Sequence, residues 1–548
     1  MVRSWYGKIA LVSVVITGIV GSAVWYNWPE KPAPLEDGGG RPKLAVVLVF
    51  DQLRGDYLAK WLPYFGEGGF KRLIQKGAWF TNCHYPYSHT VTAAGHASLL
   101  TGCTPRDHGI VGNSWYDRRQ HKKVECVTGE RGKGPFYRKR PTLGDVLLGR
   151  FKTSKVAAMS IKDRSAILLA AIKAQICCWI ERSDFVTSDF YDDRHRWVNR
   201  FNSSKNFDSW IGQPWQHLRS DLDYLKIAGP DDVRFEADGR KQGKTFPHPT
   251  PNAGAVENSP FGSQVLLDFA KSAIVEEKLG QRSVPDLLCI SFSSNDLIGH
   301  TWGPDSQEVF DMTLRTDLLI KDLLDYLDDK VGPDNYVLTL SADHGICPIP
   351  GVAQSRGLDA GYVSSSHLMT ETETFLKTRF GVSGWIEQEI DDPHIFLNAA
   401  VMQSVTTAKP AEIEKALADH LAQQPGVHAA FTRTQLLRDD PLENEIAEMV
   451  RQSVTPDTCG DVVLVLKPYY LLHTSTWGYL GTTHGSPHSY DTHVPLLVVG
   501  PGIKPGSYSQ LVRPQSMAFI LARLLDIDPP EGARQDFQPP EEMWIPKD

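Results

Sequence analysis

The sequence predicts an α/β fold with a mostly parallel central sheet flanked by helices. Three observations predict it. Residues 44–50 form an unbroken apolar run that ends at Asp51. Residues 286–292 form a second, followed by Ser293-Ser294-Asn295-Asp296 and then His300. Residues 336–340 form a third, followed by Ser341-Ala342-Asp343-His344-Gly345. Short apolar runs bounded by polar turns read as strands buried on both faces. In a parallel sheet the C-terminal strand ends share one edge, and ligands bind there.

The elements follow in order. Arg3 and Lys8 precede an apolar run from Ile9 to Tyr26, long for a signal-peptide core and short for a spanning helix. Gly21-Ser22-Ala23 offers a cleavage site. The positive flank favours an N-terminus inside and the rest of the chain outside. Residues 1–28 are therefore expected to be a signal peptide or membrane anchor, and the Pro/Gly-rich stretch 29–42 a linker. One large domain is expected over 43–548. Residues 69–77 read as a helix and 79–83 as a strand. Ser88 to Gly102 is a hydroxyl-rich turn that runs through small residues into an apolar helical turn.

Residues 142–151 read as a helix and 156–161 as a strand, with Lys162-Asp163-Arg164 at its C-terminal end. From 171 to 260 aromatics and charges mix without long apolar strands, which reads as a cap insertion. Residues 261–279 form a helix. Residues 305–331 form a long amphipathic one with Val309, Met312, Leu318, Leu319, Leu323, Leu324 and Leu327 as its apolar set. Elements are short from 367 to 467, including strands near 385–390 and 394–397, and read as a second insertion. Residues 493–500 return to the main sheet, and 514–525 close the chain as a helix.

Composition narrows the function. A net charge of −8 argues against a nucleic-acid surface. Eight cysteines permit disulfides in an exported chain, but their spacing selects no pairing. Cys289, inside an apolar strand, reads as a buried thiol. No C-x-x-C pair occurs, which argues against a cysteine zinc site.

The chemistry lies at the strand ends. Singly, Asp51, the Asp343-His344 pair and Lys162-Asp163-Arg164 read equally well as caps or solvated turns, and Thr92 as a helix cap. Together, three Asp (51, 296, 343) and three His (300, 344, 484) at one edge suit two borderline-hard divalent ions. Asp296 and His300 are four apart, so a helical turn points both the same way. His484 lies in Thr482-Thr483-His484-Gly485-Ser486, with His488 and His493 as nearby competitors. Thr92 could be a nucleophile if something lowers its pKa.

These segments resemble the alkaline phosphatase superfamily of two-metal phosphate-transfer enzymes. The nearest branch is the phosphate-irrepressible periplasmic alkaline phosphatases, related to type I phosphodiesterase/nucleotide pyrophosphatases. The resemblance runs from Leu44 to Leu525. It implies two Zn2+: one on Asp51, Asp343, His344 and the Thr92 oxygen, the other on Asp296, His300 and His484. It also implies a phosphothreonine on Thr92, with Asn113, Lys162 and Arg164 holding the non-bridging phosphate oxygens.

The expected activity is an exported phosphomonoesterase acting on small-molecule phosphate esters. It would sit in the periplasm or at the extracytoplasmic face, as a monomer with a possible N-terminal membrane anchor. A phosphodiesterase or nucleotide pyrophosphatase on the same scaffold is the alternative. A non-catalytic anchored binding protein would be expected to lose metal ligands, and all six are present. Cys103-Thr104-Pro105-Arg106 only approaches the C-x-P-x-R sulfatase signature, with Arg one residue early. In the slot set by the Leu-Leu-Thr-Gly spacing stands Thr92, which cannot become formylglycine.

Overall fold

Seven consecutive apolar residues leave β1, Leu44–Phe50, no face for water, and all seven are buried. The structure, a computed structural model, describes residues 40–546 apart from 131, 192–194, 443 and 475–478. The expected signal or anchor segment, 1–28, and most of the linker lie outside the described residues. No helix among the described residues is long and apolar enough to cross a membrane.

The central sheet holds nine strands. After β1 come β2 (Ala78–Phe80), β3 (Val156–Ser160), β4 (Ile176–Glu181) and β5 (Asp184–Val186). The rest are β6 (Asp286–Phe292), β7 (Tyr336–Ser341), β8 (Leu496–Val499) and β9 (Gly506–Tyr508). Their order across the sheet is β9-β2-β8-β7-β1-β6-β3-β4-β5. β7, β1, β6, β3 and β4 run parallel, and β8 joins β7 antiparallel. β1 sits at the centre in register with both neighbours, Phe50 against Phe292 and Val49 against Ser341. That register ends β1 and β6 level and β7 one residue earlier, so the three strands leave the sheet next to one another at Asp51, Ser293 and Ala342.

Helices cover the sheet: α1 (Thr92–Thr101), α2 (Asp163–Leu169), α3 (Pro260–Glu276), α4 (Ser294–Trp302), α5 (Gln307–Lys330) and α6 (Ser516–Leu525). α1 is buried along its whole length, because its small residues let it lie directly on the sheet edge. The cysteines are all buried and unbridged.

Three expectations are corrected. The stretch 171–260 does contain a main-sheet strand: β4, Ile-Cys-Cys-Trp-Ile-Glu, pairs parallel with β3. Its apolar run is short and follows a Lys-Ala-Gln segment, so it carries little periodic signal. Leu318 on α5 is 47% exposed, as its place beside Leu319 puts it a third of a turn off the apolar face. At 385–390 there is only the bridge from Ile386 to Leu397, since Gly381 and Gly384 bend the chain with positive φ just before it.

Residues 394–466 build a separate three-stranded sheet, His394–Ile395, Val462–Leu466 and Val427–Thr432, covered by the helix Pro410–Leu421. Ile395, Ile413, Leu417, Leu421, Val462 and Leu464 fill a core of its own.

Candidate active site

Four segments bring carboxylates and imidazoles together at the C-terminal edge of the sheet. β1 delivers Asp51, fully buried. The turn after β7 delivers Asp343 and His344, both fully buried. α4 presents Asp296 and His300 one turn apart, with His300 Nε2 3.2 Å from Asp296 Oδ1. The loop before β8 brings His484 Nε2 to 3.6 Å from the same oxygen. His344 Nε2 lies 3.5 Å from Asp51 Oδ1 and 3.4 Å from Asp343 Oδ2.

The rings are set by the main chain. His300 Nδ1 is 2.7 Å from the Thr482 carbonyl, His484 Nδ1 2.8 Å from that of Thr90, and His344 Nδ1 2.9 Å from that of Gly345. A carbonyl only accepts, so each Nδ1 carries its proton and each Nε2 offers a lone pair. This is how imidazole ligands of metals are held. His488 and His493 stand outside both groups of converging donors. Their Nε2 atoms are turned to the Leu466 and Thr81 carbonyls, at 2.9 and 3.0 Å.

The residues fit divalent metal. Asp51 Oδ1, Asp296 Oδ1 and His344 Nε2 are buried without any hydrogen-bond partner, and Asp343 Oδ2 has only a 3.1 Å contact with His96 Nδ1. Such orphaned atoms are costly unless something ligates them. Asp296, His300 and His484 place donor atoms close enough to hold one ion, and Asp51, Asp296 and His344 form an overlapping group. Asp343, expected beside Asp51 and His344, approaches from the side with Oδ2, while its Oδ1 accepts from the Gln52 N–H at 3.0 Å.

The electrostatics agree. Burial, then the neighbouring Asp343 and Asp296 charges, push Asp51 well above the usual carboxylate range, against the pull of Lys162. Burial would raise Asp343 and Asp296 too. The His344 and His96 rings outweigh it at Asp343, and His300 and Lys162 outweigh it at Asp296, so both end low. Burial holds His344 below its usual range, and burial with the His344 ring does the same to His484. Burial would lower His300 as well, but the Asp296 carboxylate raises it.

Thr92 opens α1 at its first helical position, just after Val91 in extended conformation, and is 1% exposed. Val91, not Thr92, is the cap. The helix N-terminus favours an anion there. Asn113 Oδ1 accepts from the Ala93 N–H at 2.9 Å, so this amide is tied to the first turn of α1. Lys162 precedes α2, and its Nζ bridges Asp51 Oδ2 at 2.7 Å and Asp296 Oδ2 at 2.6 Å. The Lys162 ammonium thus joins carboxylates from both donor sets. Arg164 lies one step into α2, with a buried Nε that has no partner and its nearest carboxylate, Asp163, 4.0 Å away.

Sequence reasoning missed three supports. Gln52 takes φ 64° to turn its N–H onto Asp343. His96 joins α1 to Asp343. Gly95 faces Asp343 so closely that a Cβ would lie 2.3 Å from its carbonyl oxygen. The four-residue step from Thr92 to His96 was the only available signal.

The type I phosphodiesterase/nucleotide pyrophosphatase description matches residues 45–491, from β1 through the His484 loop. The chain belongs to this family. Alkaline phosphatase PafA of Elizabethkingia meningoseptica is 33% identical over 90% of this chain and 93% of its own. Alkaline phosphatase PhoV of Synechococcus elongatus is 32% identical over 92% and 93%. The crystal structure of wild-type PafA superposes with a TM-score of 0.85, covering 92% of this chain and 99% of that one. Within the family the chain thus falls on the alkaline phosphatase branch, the branch expected from its motifs.

Proposed function

We propose that this chain is an alkaline phosphatase that hydrolyses small phosphate monoesters through a phosphothreonine on Thr92. One observation carries the reading: two overlapping groups of carboxylate and imidazole donors, with Asp51 Oδ1, Asp296 Oδ1 and His344 Nε2 buried and orphaned among them, lie near the N-terminus of the helix that begins with Thr92. Asp51, Asp343 and His344 would hold one divalent ion and Asp296, His300 and His484 a second, and zinc suits these donors. When bound, such ions lower the pKa of a nearby hydroxyl and offset charge on a departing oxygen.

The chain's residues do the rest. Thr92 Oγ, its proton passed to solvent, bonds to phosphorus as the ester P–O bond breaks, and the departing alkoxide takes a proton from solvent to leave as the alcohol. Asn113, Lys162 and Arg164 hold the non-bridging oxygens, Arg by its fork and Lys as a point charge. A water oxygen then bonds to phosphorus from the opposite side, its proton goes to solvent, and Thr92 oxygen is released. Two inversions give net retention at phosphorus.

Phosphodiester hydrolysis is the second reading, favoured by the family that the chain matches. A diester carries carbon where the third oxygen of a monoester meets a cation. Export is part of the proposal, resting on Arg3, Lys8 and the apolar run after them. The deciding experiment compares an aryl phosphate with the matching diaryl phosphate, before and after chelation and zinc return. Acid-quench mass spectrometry should find phosphate on Thr92. Full turnover by verified metal-free protein, or by Thr92→Ala, would overturn the reading.

A further inference from the structure

His96 is wholly buried, four residues after Thr92, and the chemistry above does not use it. Its Nδ1 lies 2.8 Å from the Thr92 carbonyl oxygen and 3.1 Å from Asp343 Oδ2. Its Nε2 lies 2.7 Å from Ser291 Oγ on β6. The carbonyl and the carboxylate only accept, so Nδ1 carries the proton; it donates to the Thr92 carbonyl and turns its positive edge to Asp343 Oδ2. Ser291 sits beside Ser160, whose Oγ donates to the Ser291 carbonyl at 2.8 Å and lies 3.2 Å from the Lys162 N–H, which donates to it. A second contact locks the same two elements: Gly95 brings the backbone of α1 against Asp343.

We infer that His96 is a positioning residue that fixes Asp343 to the first turn of α1, and so fixes the nucleophile relative to its ligand carboxylate. Asp343 Oδ1 is already held by the Gln52 N–H, so the His96 ring determines where Oδ2 points. A carboxylate free to swing about that single anchor would leave Thr92 and the donor set without a common frame. Partners of this kind change metal affinity or activity by about 10–100-fold when removed. The inference rests on the Thr92 reading above.

Two near-isosteres separate the ring's ends. Asparagine can place an amide N–H where Nδ1 stands; glutamine reaches only to where Nε2 stands. The full-length zinc-loaded protein is assayed for kcat, for KM, for inhibition by inorganic phosphate, and for zinc affinity by chelator competition. His96→Gln is expected to lose about 10–100-fold in kcat and in zinc affinity, with phosphate inhibition within a few-fold of wild type. His96→Asn is expected to recover most of both.

Ser291→Ala, which leaves the Nδ1 contacts in place, is expected to lose only a few-fold, and it decides the matter if the His96 variants do not fold. Equal losses in Asn and Gln variants would overturn the inference, because that is what a packing role predicts. A Ser291→Ala loss as large as that of His96→Gln would overturn it as well. Thr92→Ala tests the parent reading by itself: if it stays active, the nucleophile is wrong; if it is dead and the His96 pattern fails, only this inference falls.

Discussion

Removing Lys162 and Arg164 together should divide monoester from diester turnover. Lys162 Nζ stands 2.7 and 2.6 Å from one carboxylate of each donor set, at the centre of the site. Arg164 starts the next helix with its guanidinium 4.0 Å from the nearest carboxylate, so it is uncommitted enough to meet an oxyanion. A monoester dianion has three non-bridging oxygens and a diester two. Charge-assisted contacts contribute about 1.5–3 kcal/mol each. Two of them amount to about 3–6 kcal/mol, or about two to four powers of ten in kcat/KM. The assay is kcat/KM of Lys162→Ala/Arg164→Ala on aryl phosphate and on the matching diaryl phosphate. The monoester value should fall by that factor and the diester value should barely move. Equal losses would mean that the pair supports the fold or a general anion field, and the diesterase reading would then lead. Lys162 also has a structural arm. Taking one partner from a buried ion pair costs about 3–5 kcal/mol. The chelated Lys162→Ala protein should therefore unfold at lower denaturant than chelated wild type.

His484→Ala should lower bound zinc measured by mass spectrometry, whereas His488→Ala and His493→Ala should leave it unchanged. Leu48→Ala, in the fully buried central strand, should cost about 2–5 kcal/mol in denaturant unfolding and leave kcat of the folded fraction intact. Gly95→Ala should lower kcat and melting temperature together, since its Cβ would meet the Asp343 backbone at 2.3 Å. Burial and the adjacent Glu308 charge push the Glu236 carboxyl up to about 9. An unfolded glutamate ionises near 4.3, so this group favours the folded state below about pH 4 and loses that advantage as pH rises to 9. Melting temperature against pH should therefore fall less steeply between 5 and 9 in Glu236→Gln.

Much of this site was legible because strand ends are legible. β1, β6 and β7 are runs that no helix of ordinary amphipathicity would show, and their register then brings Asp51, Asp343 and the start of α4, which carries Asp296, together. What was not legible depends on contacts between distant segments. His484 could not be separated from His488 and His493 by spacing; the fold distinguishes it by bringing its Nε2 to 3.6 Å from Asp296 Oδ1. Gln52 and His96 were invisible for the same reason. β4 was hidden because a strand near the sheet margin can be short and mixed in composition. Asp51, Asp296 and Asp343 were found, but the bridging of two of them by Lys162 was not, since a Lys-Asp-Arg turn looks alike in solvent and in a buried site.

The three imidazoles that face the donor cluster take their orientation from backbone carbonyls at Thr90, Gly345 and Thr482. A side chain that aims a ligand can be lost by one codon change; a peptide carbonyl cannot. The metal-facing geometry is therefore insulated from drift at the surrounding positions. The groups proposed to meet the phosphate without touching the donor carboxylates, Arg164 and Asn113, enjoy no such protection. Selection can exchange them singly while the donor frame stays still. An ancestral chain could thus pass from one phosphoryl substrate to another, step by step, without losing its capacity to bind metal along the way.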